Sequence, residues 1–195
     1  FWKKDTLLLW LKVIVACIPG AVVTLLFDDY IEAHLHTPNV IAAALIVYGV
    51  AFILVENWNK TRRPRIRTLA DVDYRTAFLI GMFQVLSIIP GTSRSGSTII
   101  GALILGVSRV AAAEFTFFLA VPAMFGMSAL KLLKFGFSFT GAELAMLLLG
   151  MVVAFLVSLG VIKFLMDYIR KHDFRAFGWY RIALGVLVLV YFLAA

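Results

Sequence analysis

The chain has 195 residues, of which 63% are hydrophobic and 15% charged, and its formal charge at pH 7 is +7. Soluble domains are roughly 45–50% apolar, so this composition indicates an integral membrane protein and argues against a separate soluble domain. The basic residues stand in short segments beside apolar stretches, as in cytoplasmic loops next to membrane helices. The positive charge therefore favours anionic lipid headgroups over nucleic acid as a partner.

The apolar stretches predict about five transmembrane helices. A crossing needs about 20 consecutive apolar residues, and the candidates lie at residues 7–27, 40–55, 110–130, 142–165 and 177–193. The connector at residues 28–36 is acidic, whereas the segments at 60–67 and 167–175 are basic. The positive-inside rule places the basic segments in the cytoplasm and the acidic connector outside.

Residues 74–107 predict a re-entrant hairpin of two half-helices. The segment is too short for two crossings, and Pro90-Gly91 and a polar loop interrupt it. Proline cannot continue a helix, and glycine permits backbone geometry that other residues resist. We expect the loop to lie at membrane depth, where its polar groups need protein or water partners.

A weak internal repeat predicts an inverted topology. Residues 26–31 resemble residues 165–169, and each copy joins two spans. The charge rule puts the two copies on opposite faces of the membrane, as an inverted repeat requires. The chain then divides into the rest of a first repeat (1–56), a basic cytoplasmic connector (57–73) and a second repeat (74–195).

The hairpin loop carries a dense set of hydrogen-bond donors. Between Gly91 and Thr98 it holds a guanidinium, hydroxyl side chains and two glycines, which suit phosphate oxygens. Arg94 at membrane depth predicts a functional role, although it could instead tie the loop to backbone carbonyls. Ser93, Ser95, Ser97 and Thr98 can donate to phosphate, or Ser97 or Thr98 can cap the second half-helix.

Other polar residues leave their roles open. Gln84 can reach a ligand from the first half-helix or serve in packing. Glu114 can act as a base or hold a metal, with pairing to Arg109 or a hydroxyl slightly preferred. His34 and His36 fall on different helix faces, which argues against a metal site.

Four segments together carry a family resemblance. They are Gly81-x-x-Gln84, Pro90-Gly-Thr-Ser-Arg-Ser-Gly-Ser-Thr98, Gly106-Val-Ser-Arg109 and Glu114-Phe-Thr-Phe-Phe-Leu-Ala-Val-Pro122. They resemble the bacterial undecaprenyl-diphosphate phosphatase family, also known as the bacitracin-resistance family. The resemblance implies an all-α polytopic fold with an inverted-topology repeat, placed in the plasma membrane with its active site open to the outer face. It also implies hydrolysis of a C55 isoprenyl diphosphate lipid, which recycles the carrier for cell-wall synthesis.

The same resemblance implies roles for the loop residues. Arg94 and Ser93 are expected to be catalytic, with substrate binding by Gly91, Ser95, Thr98 and Gln84. None of them is expected to bind metal. Association of two copies into a homodimer is left open.

One signature of that family is not found from Phe1 onward. It is a glutamate-rich half-helix followed by a Ser-Ser-Thr-Gly-His loop, and the chain starts at Phe1 rather than at a methionine. We therefore expect the ligands of a divalent cation, magnesium or calcium, mainly upstream of Phe1, and expect this chain alone to be inactive or nearly so. The alternative function is a secondary transporter or lipid translocase that uses the Arg94 loop as an anion site.

Overall fold

The computed structural model describes residues 4–136 and 140–194, and all regular elements assigned within them are helical. The helices are α1 (Lys4–Leu35), α2 (Pro38–Asn59), α3 (Tyr74–Val85), α4 (Arg94–Ile104), α5 (Arg109–Phe135), α6 (Gly141–Lys171) and α7 (Arg175–Ala194), with a short 3-10 turn at Leu86–Ile88. Among these described residues, five helices (α1, α2, α5, α6 and α7) are long and apolar enough to cross a membrane. The prediction of an all-α multi-pass membrane protein is confirmed.

The predicted outer connector at residues 28–36 is wrong for most of its length. Helix α1 continues through this acidic segment to Leu35, and α2 begins at Pro38 after a cap by Thr37, whose hydroxyl accepts from the Val40 amide at 3.4 Å. Acidic side chains do not end a helix, whereas a capping threonine followed by proline starts a new one. Charged side chains likewise do not end α6, which continues through the start of the basic segment at residues 167–175 to Lys171.

The predicted hairpin of two half-helices is confirmed. Helices α3 and α4 have 12 and 11 residues, or about 18 and 16 Å at roughly 1.5 Å per residue, so neither can cross a bilayer. Asp73 starts α3 by accepting from the Thr76 amide at 2.7 Å. Helix α3 packs against α1, and α4 packs against α2 and α5.

Small residues set how closely the hairpin approaches α1. A Cβ on Gly81 would overlap the carbonyl of Ala16, which is itself fully buried. Small side chains allow this close backbone contact, which is how helices associate in membranes. Helix α1 therefore forms a wall directly behind the first half-helix.

Helices α2 and α7 pack antiparallel. Gly49 lies against Gly178, and Gly185 lies against Ala42, so residue numbers rise along one helix as they fall along the other. Equivalent helices of an inverted repeat cross the membrane in opposite directions, and the antiparallel arrangement of α2 and α7 agrees with that. The repeat and the three-part division of the chain stay predictions.

A buried ion pair joins α2, α5 and the start of α7 at the end of the bundle where the basic segments 60–67 and 167–175 lie. The Glu56 carboxylate is fully buried and accepts from the Arg109 guanidinium at 2.6 Å, and also from the Phe174 amide at 3.2 Å. The predicted pairing of Arg109 with Glu114 is wrong, because Arg109 is held by Glu56, 53 residues away in sequence. Long-range pairs of this kind cannot be read from local spacing.

Candidate functional site

The loop between α3 and α4 turns at Gly91. This glycine has a φ of +88°, and a Cβ placed on it would lie 2.5 Å from the carbonyl oxygen of Ile41 near the start of α2. The Thr92 amide closes the turn by donating to the Ile89 carbonyl at 3.0 Å. Both the left-handed backbone and the close contact require glycine, so Gly91 shapes the loop.

Ser93 caps the second half-helix. Its hydroxyl accepts from the Gly96 amide at 3.1 Å and lies 3.0 Å from the Ser95 hydroxyl. The prediction that Ser97 or Thr98 provides the cap is wrong, because an N-cap must precede the first helical residue, which is Arg94. The first amides of α4 and its positive dipole end therefore point toward the loop.

Arg94 extends from this helix start toward α5. One of its terminal guanidinium nitrogens donates to the sulfur of Met127 at 2.9 Å. No carboxylate of the described residues forms an ion pair with Arg94. The alternative prediction was a hydrogen bond from Arg94 to backbone carbonyls, whereas the observed acceptor is a side-chain sulfur. A guanidinium has five donors and a thioether is a weak acceptor, so Arg94 keeps most of its capacity for an anion.

Arg94 lines a cavity of about 660 Å³. The cavity lies between the hairpin and α5, and its lining is polar on the hairpin side and apolar along part of α5. The lining residues are Gln84, Ser87, Ser93, Arg94, Ser95, Thr98, Thr116, Phe117, Ala120, Met124, Met127, Ser128 and Lys131. Five of the six site residues predicted from sequence thus meet in one cavity, and Gly91 lies outside its lining.

Thr98 holds α4 against α5. Its hydroxyl is fully buried, lies 3.1 Å from the carbonyls of both Arg94 and Ser95, and is 3.0 Å from the Thr116 hydroxyl. With these partners already in place, Thr98 positions the helix that carries Arg94. Direct contact between Thr98 and a ligand stays a prediction.

Gln84 lines the cavity and carries an acceptor atom without a partner. The residue is 6% exposed, and its Oε1 is buried without a hydrogen-bond partner. Its Nε2 lies so close to Gly20 of α1 that a Cβ there would be 2.8 Å away. A buried polar atom without a partner is costly unless a ligand or water satisfies it, which favours a binding role for Gln84 over packing.

Sequence reasoning missed the contribution of α5 to this site. Thr116, Ser128 and Lys131 line the cavity beside Arg94, and Lys131 directly follows the span predicted at residues 110–130. The signal was the helical spacing, because residues three and four apart share a helix face. Lys131 follows Ser128 by three positions and Met127 by four, so all three point the same way.

The charge of the cavity favours an anion. Arg94 and Lys131 line it, and no carboxylate does. Across the described residues, no group of three or more His, Cys, Asp or Glu side chains is arranged to hold a metal ion. Glu114 lies outside the lining, so this arrangement can bind and orient phosphate but has no metal-binding carboxylates of its own.

The chain matches a known family over nearly its whole length. Residues 1–187 match the family described as "Bacitracin resistance protein BacA". The chain belongs to the BacA family. It is similar to a protein named undecaprenyl-diphosphatase from Enterococcus faecalis, with 70% identity over 188 residues, which cover 96% of this chain and 68% of the relative.

Two further BacA-family relatives carry the same name. The protein from Desulfitobacterium hafniense is 60% identical over 98% of this chain and 69% of its own length. The protein from Lachnoclostridium phytofermentans is 59% identical over 100% of this chain and 71% of its own length. The family resemblance predicted from the four motifs is confirmed.

Proposed function

We propose that this BacA-family chain functions as an undecaprenyl-diphosphatase, which hydrolyses undecaprenyl diphosphate to undecaprenyl phosphate and orthophosphate. The observation that carries the proposal is the cavity that joins Arg94, Lys131 and hydroxyl side chains at the start of α4 without any carboxylate. Its relatives of 59–70% identity are named for this activity. The cavity is the diphosphate site in this proposal.

The donors match the chemistry of a diphosphate. Arg94 offers a planar fork that binds two phosphate oxygens at once, and Lys131 adds a second positive charge. Ser93 and Ser95 add hydroxyls next to the first amides of α4, where the helix dipole stabilises negative charge. Together they would neutralise the substrate and the additional charge that develops as the phosphorus–oxygen bond breaks.

The apolar part of the cavity gives the isoprenyl chain a path. Phe117, Ala120 and Met124 line that side. Val121 and Phe125 of the same helix are 56% and 76% exposed, so they extend this apolar surface toward lipid. A headgroup held at Arg94 can therefore leave its tail in the hydrocarbon region.

Gln84 is the residue that we assign to the attacking water. Its unpaired Oε1 can accept a hydrogen bond from water but not from a fully ionised phosphate oxygen, which has no proton to donate. The water oxygen bonds to the terminal phosphorus as the bond from that phosphorus to the bridging oxygen breaks. The bridging oxygen leaves with its electron pair as part of the lipid monophosphate, and a proton of the water passes to solvent as orthophosphate forms. The catalytic role predicted for Ser93 stays a prediction, since its hydroxyl caps α4.

A divalent cation does not fit the residues of the cavity. Two cationic side chains and no carboxylate line it, whereas magnesium and calcium take oxygen ligands that include carboxylates. We propose that any metal ligands lie outside these residues, and we derive no step through the ion. The chain's own groups bind the diphosphate and orient it.

The cavity lies toward the end of the bundle opposite the basic loop, by which we mean residues 60–67 between α2 and α3. Met127, which contacts Arg94, follows Arg109 by 18 positions along α5, or about 27 Å at roughly 1.5 Å per residue. With the basic loop in the cytoplasm, the site opens to the outer face of the bacterial plasma membrane. Helix α6, which buries none of its most apolar window, is the surface we assign to membrane lipid or to a second copy in a homodimer.

Orthophosphate release from C55 diphosphate in detergent tests the proposal. The assay compares this chain, the same chain preceded by the glutamate-rich segment that the family resemblance implies, and that longer form carrying Arg94→Ala, each with magnesium or calcium. We expect the longer form to release phosphate and Arg94→Ala to lower the rate by about 100-fold or more, the usual effect of losing a group that stabilises developing charge. Arg67→Ala, a charge change in the basic loop, should leave the rate unchanged.

The same assay separates hydrolysis from transport. A transporter needs a sealed membrane, whereas a phosphatase releases phosphate in detergent. Phosphate release that is insensitive to Arg94→Ala would refute the assigned site. A folded longer form that binds the lipid and releases no phosphate would favour the translocase.

A further inference from the structure

A second cavity, of about 280 Å³, lies at the opposite end of α4 from Arg94. It is formed where the basic loop after α2 meets the connection between α4 and α5. Its basic lining residues are Arg62, Arg63, Arg65, Arg109 and Arg170, and no acidic side chain lines it. Nothing in the diphosphatase proposal uses this cavity.

The basic loop is held in place by backbone hydrogen bonds. The amides of Arg65 and Ile66 both donate to the Gly106 carbonyl, at 2.9 and 3.2 Å. In return, the Ser108 amide donates to the Ile66 carbonyl at 2.8 Å, and its hydroxyl donates to the Arg67 carbonyl at 3.0 Å. These bonds make the loop a fixed wall of the cavity and limit its ordering cost on binding.

Three of the five arginines have no carboxylate partner within the described residues and can bind an anionic ligand. Arg109 is occupied by the buried Glu56, and Arg170 lies 3.9 Å from Asp167. In contrast, Arg62, Arg63 and Arg65 form no ion pair within the described residues. The guanidinium carbon of Arg62 lies 3.7 Å from the centre of the Trp58 ring, a cation–π contact that places this charge beside the cavity.

The remaining lining is apolar and continues toward the membrane. Leu103, Ile104, Val110 and Ile169 contribute to the cavity wall. Ile104 is 39% exposed, and Leu54, one turn before Trp58 on α2, is 62% exposed. An anionic group bound by the arginines would therefore have apolar helix surface directly beside it. A phospholipid needs such a surface for its acyl chains, whereas a soluble anion does not.

We propose that this cavity binds the phosphate of an anionic phospholipid headgroup in the leaflet next to the basic loop. Basic pockets between membrane helices on the cytoplasmic side suit such headgroups. Arg62, Arg63 and Arg65 bind the phosphate, Trp58 anchors the interface, and the acyl chains lie along Leu54 and Ile104. The proposal is independent of the activity at Arg94, because α4 separates the two cavities by its 11-residue length.

Lipid binding to the delipidated chain in detergent, measured by native mass spectrometry, tests the proposal. The parent chain is titrated with phosphatidylglycerol and with phosphatidylcholine of the same acyl length. A double variant, R62A/R65A, is compared with R67A/R75A, which removes the same charge from exposed positions that do not line the cavity. Circular dichroism and gel filtration verify that both variants are folded.

We expect the parent to bind phosphatidylglycerol at least tenfold more tightly than phosphatidylcholine. Each basic residue near an anionic headgroup contributes on the order of fivefold in affinity, so R62A/R65A should weaken phosphatidylglycerol binding by roughly 25-fold. R67A/R75A should stay within about threefold of the parent, since its two charges act only at a distance through solvent.

Three outcomes would overturn the proposal. Equal affinity of the parent for the two lipids would refute it even if R62A/R65A failed to fold. Equal losses in the two double variants would show a diffuse charge effect without a built site. Displacement of the lipid by equimolar inorganic phosphate would assign the cavity to a soluble anion.

Discussion

The ion pair between Glu56 and Arg109 predicts a strong energetic coupling between α2 and α5. Arg109→Leu would leave the fully buried carboxylate with the Phe174 amide as its remaining hydrogen-bond partner. Breaking a buried pair costs about 3–5 kcal/mol. The Arg109 side chain is 38% exposed, so solvent already weakens the pair, and we expect a loss of about 3 kcal/mol in the free energy of unfolding.

Removing the carboxylate instead of the guanidinium should lower the free energy of unfolding by less. Glu56→Leu leaves Arg109 free to turn toward water and removes the acceptor of the Phe174 amide, which predicts a loss of about 2 kcal/mol. The double variant Glu56→Leu/Arg109→Leu removes both charges and replaces them with apolar groups. It should lose only about 2 kcal/mol, because the orphaned amide is then the main cost.

Reversible unfolding in mixed detergent micelles, followed by circular dichroism, measures these values. The two single losses sum to about 5 kcal/mol against about 2 for the double variant, so the cycle predicts a coupling of about 3 kcal/mol. Additive losses, with a coupling below about 0.5 kcal/mol, would refute the inference that this pair joins α2 to α5.

Three further predictions concern the hairpin. Gly91→Ala should lower the free energy of unfolding by about 2 kcal/mol or more, because of the positive φ and the 2.5 Å approach to a backbone carbonyl. Gly150→Ala, a helical position with open space around it, should be neutral or stabilising in the same unfolding assay in mixed micelles. Ser93→Ala should cost about 1 kcal/mol through loss of the α4 cap, whereas Ser93→Asp, which can still cap, should recover most of that stability. Hydrogen bonds from Thr76 hold the pKa of Asp73 below its ordinary value, so the start of α3 is stabilised above the ordinary carboxyl pKa and loses this as the pH falls through the lowered one. Amide exchange at Thr76 should therefore accelerate in acid, and Asp73→Asn should remove that pH dependence.

Much of the fold could be predicted because membrane helices are recognisable from local runs of apolar residues. Apolar length located the spans, and Pro90-Gly91 between two short apolar runs located the hairpin. The boundaries were harder, because charged side chains mark the membrane interface without ending a helix. For this reason α1 continues through an acidic segment to Leu35.

Only those site residues that lie close together in one segment of the sequence could be predicted. Arg94 and its hydroxyl neighbours stand together in the sequence, so their chemistry was visible there. Lys131 and Thr116 join them only because α5 packs on α4, and Glu56 meets Arg109 only because α2 packs nearby. Such contacts depend on tertiary packing, which motif spacing does not encode.

Direct binding measurements test whether the Arg94 cavity binds an isoprenyl diphosphate. Isothermal calorimetry of this chain in detergent with a water-soluble C15 isoprenyl diphosphate, in the absence of metal, compares the parent with Arg94→Ala, Lys131→Ala and the loop control Arg67→Ala. We predict that Arg94→Ala weakens binding by about 100-fold, that Lys131→Ala weakens it by about tenfold, and that the control binds like the parent. Arg94→Ala binding within threefold of the parent would contradict the assignment of the diphosphate to this cavity.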